Sequence, residues 1–301
     1  MRFIDPVRRA FARLDALWRS VKQIDQALGH LREAVGRVES RQLAMADAPG
    51  LAANEFKVWS QWGEDGILQY LLRQVAVERR VFVEFGVENY TEANTRFLLT
   101  QSSWSGLVLD GSEEHISAIR RDPIYWRHNL KAVRAFVTRE NINQLLRENG
   151  LTGEIGLLSV DIDGNDYWVW EAITEVAPAL VVVEYNSRFG PDRAVTIPYD
   201  PAFERVKAHH STAYYGASLA ALVGLGRRKG YAFVGSNSAG NNAFFVRRDL
   251  LAPPLRELSA AEGYVVRGFR ETRDAEGRLT FASPEEETAL VNSLPLVEVE
   301  P

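Results

Sequence analysis

The sequence predicts an α/β fold in which a mostly parallel sheet closes on an antiparallel hairpin, with a long coiled-coil helix ahead of it. Three observations carry that prediction. Short, continuously apolar runs recur along the middle of the chain and end in carboxylates, at Glu84, Asp110, Asp161 and Glu184. Helical patterns separate these runs, the alternation expected of buried parallel strands joined by crossover helices. Ahead of them, apolar residues alternate steps of three and four, the seam of a heptad repeat.

Composition bounds the function. The chain has 301 residues, 46% hydrophobic and 25% charged, which suits one large domain with an appendage. A formal net charge of -5 argues against a nucleic-acid partner, since coating a phosphate backbone needs a basic face. The absence of cysteine excludes disulfides, thiolate metal sites and cysteine nucleophiles, and fits a cytoplasmic location. No apolar run reaches the ~18 residues of a membrane span, and the amino terminus lacks an apolar signal core, so a soluble protein is expected.

Residues 1–45 read as one helix. Leu14, Val21, Leu28 and Val35 fall at heptad position a, and Leu17, Ile24, Leu31 and Val38 at d. So narrow an apolar stripe needs a partner, and a homo-oligomer joined through this helix is expected; packing on the chain's own domain is the alternative. The same helix interleaves Arg2, Arg8, Arg9, Arg13, Arg19 and Lys22 with Phe3, Phe11 and Trp18. Such a face suits peripheral contact with an anionic membrane, or simply the solvated outside of a coiled coil. Residues 46–55 read as a linker, 56–250 as the main domain and 251–301 as a C-terminal extension.

In the main domain, Ser60, Gln61, Trp62, Gly63, Glu64 and Asp65 precede a helix over 67–74; polar residues in that position are ordinarily caps. The strand over 81–85 carries Glu84, and Gly86 supplies the tight turn because glycine tolerates positive φ. A helix over 92–99 follows. The strand over 106–110 ends on Asp110, followed by Gly111 and Ser112. A carboxylate there suits two adjacent ribose hydroxyls, with capping of the helix over 113–120 as the alternative. A strand over 131–137 and a helix over 142–149 come next. The strand over 155–160 runs into Asp161, Asp163, Gly164, Asn165 and Asp166, the densest polar cluster in the chain, before a helix over 167–173. The strand over 180–183 runs into Glu184, Tyr185 and Asn186. Open α/β sheets bind ligands at these carboxyl ends. A helix over 218–229 and two strands flanking a small polar loop at 236–241 complete the pattern with a hairpin. A further hairpin over 264–280 and a short helix over 284–291 are expected in the extension.

Taken in order, Ser60-Gln61-Trp62-Gly63-Glu64-Asp65, Glu84-Phe85-Gly86-Val87, Asp161-Ile162-Asp163-Gly164 and Glu184-Tyr185-Asn186 resemble the FkbM-like branch of class I S-adenosylmethionine-dependent methyltransferases. The resemblance covers roughly residues 56–250. It implies a Rossmann-like seven-stranded methyltransferase sheet, mostly parallel with its final strand antiparallel, and S-adenosylmethionine as cofactor. It further implies that Glu84 and Gly86, with Asp161 nearby, bound the methionine end, and that Asp110 holds the ribose ahead of Gly111 and Ser112. Val137 would lie beside the adenine, and Gln61 and Glu64 near the pocket. Glu88, Asn89 and Tyr90 stand where the family usually has further glycines.

The 161–167 segment is also similar to that of metal-dependent catechol-type and caffeoyl-coenzyme A-type O-methyltransferases. That similarity implies Mg2+ on Asp161, Glu184 and Asn186; direct binding of substrate hydroxyls or helix capping are the alternatives. Gly164 replaces the lysine of those enzymes, which leaves Asp163 or Asp166, and then His209 or His210, as candidate bases. Tyr185, Tyr199, Tyr214, Tyr215 and Trp168 are candidates to line an aromatic acceptor pocket. By analogy the expected activity is O-methylation of a saccharide or glycosylated small molecule. A non-catalytic scaffold and a metal-dependent hydrolase remain open as rivals.

Overall fold

A computed structural model describes residues 4–301, with side chains from residue 8 onward; Arg2 and Phe3 of the basic helix face lie outside the described residues. The chain divides into two compact units, Met1–Ala46 and Asp47–Pro301. The first is a single helix, α1 (Ile4–Ala46), of 43 residues. At 1.5 Å per residue that is about 65 Å of helix. Its a and d residues are all exposed, from 49% at Val21 to 63% at Leu17. No described helix is long and apolar enough to cross a membrane.

The second unit is built on seven strands: β1 (Val81–Phe85), β2 (Ser105–Asp110), β3 (Leu130–Arg134), β4 (Gly153–Val160), β5 (Val176–Glu184), β6 (Tyr231–Ser236) and β7 (Asn242–Arg247). Their order across the sheet is 3-2-1-4-5-7-6, with the first five parallel and β7 antiparallel to both neighbours. This is the Rossmann-like seven-stranded arrangement that the sequence led one to expect, mostly parallel and closed by its reversed last strand. The strands are apolar throughout because both faces are covered, and alternate residues feed two cores. Val83 and Phe85 pack with Leu109, Leu158, Trp170 and Phe245 on one face. Phe82, Val108, Leu157 and Phe244 pack with Ile67 and Leu68 on the other.

The helices of this unit are α2 (Glu64–Gln74), α3 (Arg96–Gln101), α4 (Glu113–Arg121), α5 (Pro123–Arg127), α6 (Ile142–Glu148), α7 (Asp166–Ala172), α8 (Arg205–Ala208), α9 (Leu219–Arg228), α10 (Ala260–Gly263) and α11 (Pro284–Asn292). After β1 the chain builds outward through β2 and β3, then returns to place β4 on the other side of β1. The direction of winding therefore reverses between β1 and β4, which opens a crevice at their carboxyl ends.

Two stretches differ most from the sequence expectation. The helix expected over 92–99 begins only at Arg96, because the Glu84 carboxylate binds the N–H groups of Asn94 and Thr95 and holds them ahead of the first turn. The hairpin expected over 264–280 is reduced to one bridge, Arg273 to Leu279. Residues 264–268 instead bond to loops at the strand tips: Tyr185 Oη donates to the Val265 carbonyl, Arg267 N–H to Ser187 Oγ, and Gly268 N–H to the Ala239 carbonyl. Within residues 47–55, Leu51 and Asn54 are buried, and the Asn54 amide donates to the carbonyls of Ala48 and Gly50.

Candidate functional site

The first turn is organised from underneath. Glu84 is buried at the tip of β1, and its two oxygens accept from Asn94 N–H (2.8 Å), Thr95 N–H (3.1 Å), Thr95 Oγ1 (2.5 Å) and Ser159 Oγ (3.4 Å). Burial pushes its carboxyl up to about 7 against the pull of those donors. Gly86 follows with φ of +69°, and a Cβ there would lie 1.8 Å from the Asp161 carbonyl oxygen. The turn continues through Glu88 and Tyr90, both at positive φ (47° and 63°).

Beyond this turn lies a cleft of about 260 Å³, bordered by Gly86, Asp110, Gly111, Phe136, Val137 and Asp161, among others. Asp110 Oδ2 accepts from Glu88 N–H (2.9 Å), and Oδ1 accepts from Ser112 N–H (2.8 Å) with His115 Nδ1 at 3.0 Å. A carboxylate has room for about four donors, so capacity for a ligand hydroxyl remains. Ser112 caps α4, its Oγ accepting from His115 N–H. Leu109, Ala135, Phe136, Val137 and Ile162 give the opposite wall an apolar character, with Phe136 half exposed.

A second cleft, about 270 Å³, adjoins the first and shares Gly86, Glu88, Asp161 and Asp163 with it. Gln61, Trp62, Glu184, Arg205, Asn242, Phe269 and Glu271 also border it. Here the ends of β4 and β5 bring oxygens of Asp161, Asp163 and Glu184 within 4.8 Å of one another. The carboxyls of Asp161 and Glu184 are held well above their ordinary values, first by burial and then by the neighbouring carboxylates. Among the described residues that border this cleft, Arg205 is the one cation. Arg205 donates to Asp163 Oδ1 and the Thr212 carbonyl (both 2.6 Å), pairs with Glu271 at 2.6 Å, and lies 3.8 Å over the Tyr215 ring. Desolvation opposes its charge, and Tyr215 with the carboxylates of Glu184, Asp163 and Glu271 outweighs that opposition.

The structure sorts the residues singled out in the sequence. Asp110, Gly86, Gly111, Val137 and Asp161 border the first cleft, while Gln61, Glu84, Asp161, Asp163 and Glu184 border the second. Glu64 serves the framework: one oxygen accepts from Trp62 and Gly63 N–H, the other from Asn237 and Asn242 side chains. Asp166 accepts from the N–H groups of Ile162 and Gly164 and so shapes the loop between β4 and α7; burial pushes it up to about 6. Asn186 donates to the carbonyls of Ala213 and Tyr215 and accepts from Arg188, so Asp163 rather than Asn186 completes the oxygen cluster. His210 is exposed, stacked near His209, and borders neither cleft. Tyr185, Tyr199, Tyr214, Tyr215 and Trp168 border neither as well, the Tyr185 and Tyr215 rings being buried in the interior.

Arg205, Asn242, Phe269 and Glu271 are the residues that sequence reasoning missed. Phe269 and Glu271 lie about 85 residues past Glu184, in a stretch without periodicity, and no pattern tied them to the strand tips. Asn242 opens a recognisable strand, but its direction toward the cleft follows only from the pairing of β7 with β5.

No protein-family model matches this chain, and no curated protein matches it. Among solved structures, it is similar to an S-adenosylmethionine-dependent methyltransferase from Clostridium acetobutylicum, at 8% identity and a TM-score of 0.39, over 61% of this chain and 89% of that one. It is also similar to an O-methyltransferase from Bacillus cereus in complex with SAH, at 13% identity and a TM-score of 0.35, over 70% and 89%. A methyltransferase from Aquifex aeolicus described as SAM-dependent is similar at 10% identity and a TM-score of 0.37, over 60% and 88%.

Proposed function

We propose that this chain transfers a methyl group from S-adenosylmethionine to a hydroxyl oxygen of a saccharide or other small molecule. The observation that carries the reading is the pair of adjoining clefts at the strand tips, one with a buried carboxylate beside an apolar slot, the next lined by carboxylates. The residues fit the cofactor. Asp110 has acceptor capacity for ribose hydroxyls, Phe136 and Val137 flank a slot suited to an adenine ring, and the acidic junction at Asp161 suits the cationic sulfonium and ammonium groups.

Bound S-adenosylmethionine supplies an electrophilic methyl group. The chain's own task is to align the acceptor oxygen and to take up its proton. Asp161 and Glu184, desolvated and without a hydrogen bond among the described residues, are basic when ionised, and Asp163 stands beside them. Asp166 and His210 suit that role less well, one being engaged by backbone N–H groups and the other lying away from both clefts. The oxygens of Asp161, Asp163 and Glu184 also fit a hard divalent cation such as Mg2+. Held there, it would relieve their mutual repulsion and lower the pKa of a nearby hydroxyl.

Calorimetric titration of the full chain with S-adenosylmethionine, with and without Mg2+, tests the reading. Saturable binding that weakens in Asp110→Ala supports it; no binding in either condition favours a scaffold built on a degenerate methyltransferase fold. We also propose that α1 self-associates, on the strength of an unbroken a/d stripe that is exposed along its length.

A further inference from the structure

Glu184 and Asn242 are directly paired across the antiparallel β5 and β7 strands. Opposed residues leave a sheet on the same face with Cβ atoms about 4.5–5.5 Å apart, and both of these border the acidic cleft. Both are buried, 7% and 4% exposed. Yet Glu184 Oε2 and Asn242 Oδ1 have no hydrogen-bond partner among the described residues. The Asn242 amide is not free to turn and repair this. Its Nδ2 donates to Glu64 Oε1 (2.9 Å), and Glu64 is fixed in turn by Asn237 and by the N–H groups of Trp62 and Gly63. The floor of the cleft therefore carries two oriented oxygens that no described group engages. Burying such atoms is unfavourable unless something else brings the donors.

The wall of the same cleft is aromatic. Trp62 and Phe269 stack with centroids 5.2 Å apart and planes 19° from parallel, joining the segment before α2 to the C-terminal extension. The rim carries Glu88, Glu92, Asp163 and Glu271; Glu92 pairs with Lys57, Asp163 with Arg205, and Glu271 with both Arg205 and Arg188, which leaves carboxylates in excess around the cleft. A pyranose has an apolar face for the stack and hydroxyl donors for the floor. A carboxylate or phosphate on that ring would meet like charge in a partly desolvated groove.

We propose that Glu184 Oε2 and Asn242 Oδ1 form the selective floor of the acceptor site. They take adjacent donors from a neutral or amino-substituted sugar ring laid against Trp62 and Phe269, and the acidic rim turns away sugars that carry an anionic group. The inference rests on the methyltransferase reading of this site and deepens it by naming the charge class of the acceptor and the residues that choose it. The second oxygen of Glu184 remains for the cluster with Asp161 and Asp163.

The test uses the full chain and four probes: methyl glucoside, methyl glucosaminide, methyl glucuronide and glucose 6-phosphate, followed by ligand-observed NMR with S-adenosylmethionine titrated in parallel. The first two sugars should bind, and the two anionic ones at least about tenfold more weakly. Asn242→Leu and Phe269→Ala should each weaken the neutral sugar by about tenfold, the scale of one or two lost polar or stacking contacts, with cofactor affinity unchanged. Phe269 is only half buried, so its variant stays informative if Asn242→Leu fails to fold. Equal binding of all four probes overturns the proposal. So does no sugar binding in a chain that binds S-adenosylmethionine, or wild-type sugar affinity in the folded variants. A chain that binds the neutral sugars selectively but not S-adenosylmethionine would instead sink the methyltransferase reading and leave the sugar floor standing.

Discussion

A Cβ added to Gly86 would stand 1.8 Å from the carbonyl oxygen of Asp161, so the tips of β1 and β4 meet at a contact that only glycine permits. The residue also holds φ at +69°, a region that costs an L side chain energy even in open space. Gly86→Ala should therefore lower stability by about 2–4 kcal/mol, combining backbone strain with displacement of the β4 turn. Urea denaturation measures this, and an unchanged midpoint would mean that the two tips can separate freely.

Asp110 contributes to both the loop and the proposed ribose site. Asp110→Ala should weaken S-adenosylmethionine binding by about 1–3 kcal/mol, through lost ligand bonds and the released Glu88 N–H. Asp110→Asn keeps one side-chain carbonyl to accept from Glu88 and should lose less. Calorimetry on the two variants separates the contributions; equal affinity in wild type and Asp110→Ala would remove Asp110 from the site.

Buried carboxyls, Glu84, Asp65 and Asp166 among them, set a pH dependence of stability. Burial raises Glu84 to about 7 from 4.5, and Asp65 and Asp166 to about 6 from 3.8. Each folded value lies above the unfolded one, so between the two the folded chain holds a proton that the unfolded chain has released. That stabilisation is complete below about pH 4, declines through the interval and is gone above about pH 7. Thermal melts should show a higher midpoint near about pH 5 than near about pH 7.5, with a shallower slope in Glu84→Gln. A midpoint that climbs across this range would contradict the assignment.

Arg188, in the turn that follows β5, is fully buried and ties that turn to the C-terminal extension, pairing with Glu271 at 2.8 Å and Glu287 at 3.4 Å. Arg267 also pairs with Glu287. Removing Arg188 leaves Glu287 to Arg267 and Glu271 to Arg205, and takes away a buried side chain that also donates to Asn186 Oδ1. Arg188→Ala should cost about 1–3 kcal/mol in urea denaturation, and should free the segment carrying Phe269 and Glu271 for earlier proteolysis. Cleavage at the wild-type rate would show that the extension is held by other contacts.

Leu17 and Ile24 are successive d residues of α1 and are 63% and 59% exposed. Replacing both by Lys places charge in the seam and leaves the sequence of the second unit unchanged. Light scattering should report the wild type as an oligomer and the double variant as a monomer. A monomeric wild type at micromolar concentration would end the coiled-coil proposal.

Periodicity alone determined much of this molecule. Runs of Val, Ile, Leu and Phe with helices between them specify a parallel sheet because both faces of each strand must be covered, and the 231–247 stretch reads as its closing hairpin. The step of three and four marks α1 for the same kind of reason: side chains at that spacing share one face. Carboxylates at strand ends pointed to the rim where Asp110, Asp161 and Glu184 lie.

Only the tertiary structure decided what each polar group does. Glu64, Asp166 and Asn186 read as site residues, yet their oxygens and amides are taken up by backbone and side-chain partners that adjacency in sequence does not reveal. Glu184 and Asn242 look unrelated in the chain, and strand pairing makes them neighbours. Local pattern reports which face a residue prefers, because that depends on the nearest turns of backbone. Whether a buried oxygen finds a donor depends on segments brought in from far along the chain, as Phe269 and Glu271 are, and packing alone determines which of them arrive.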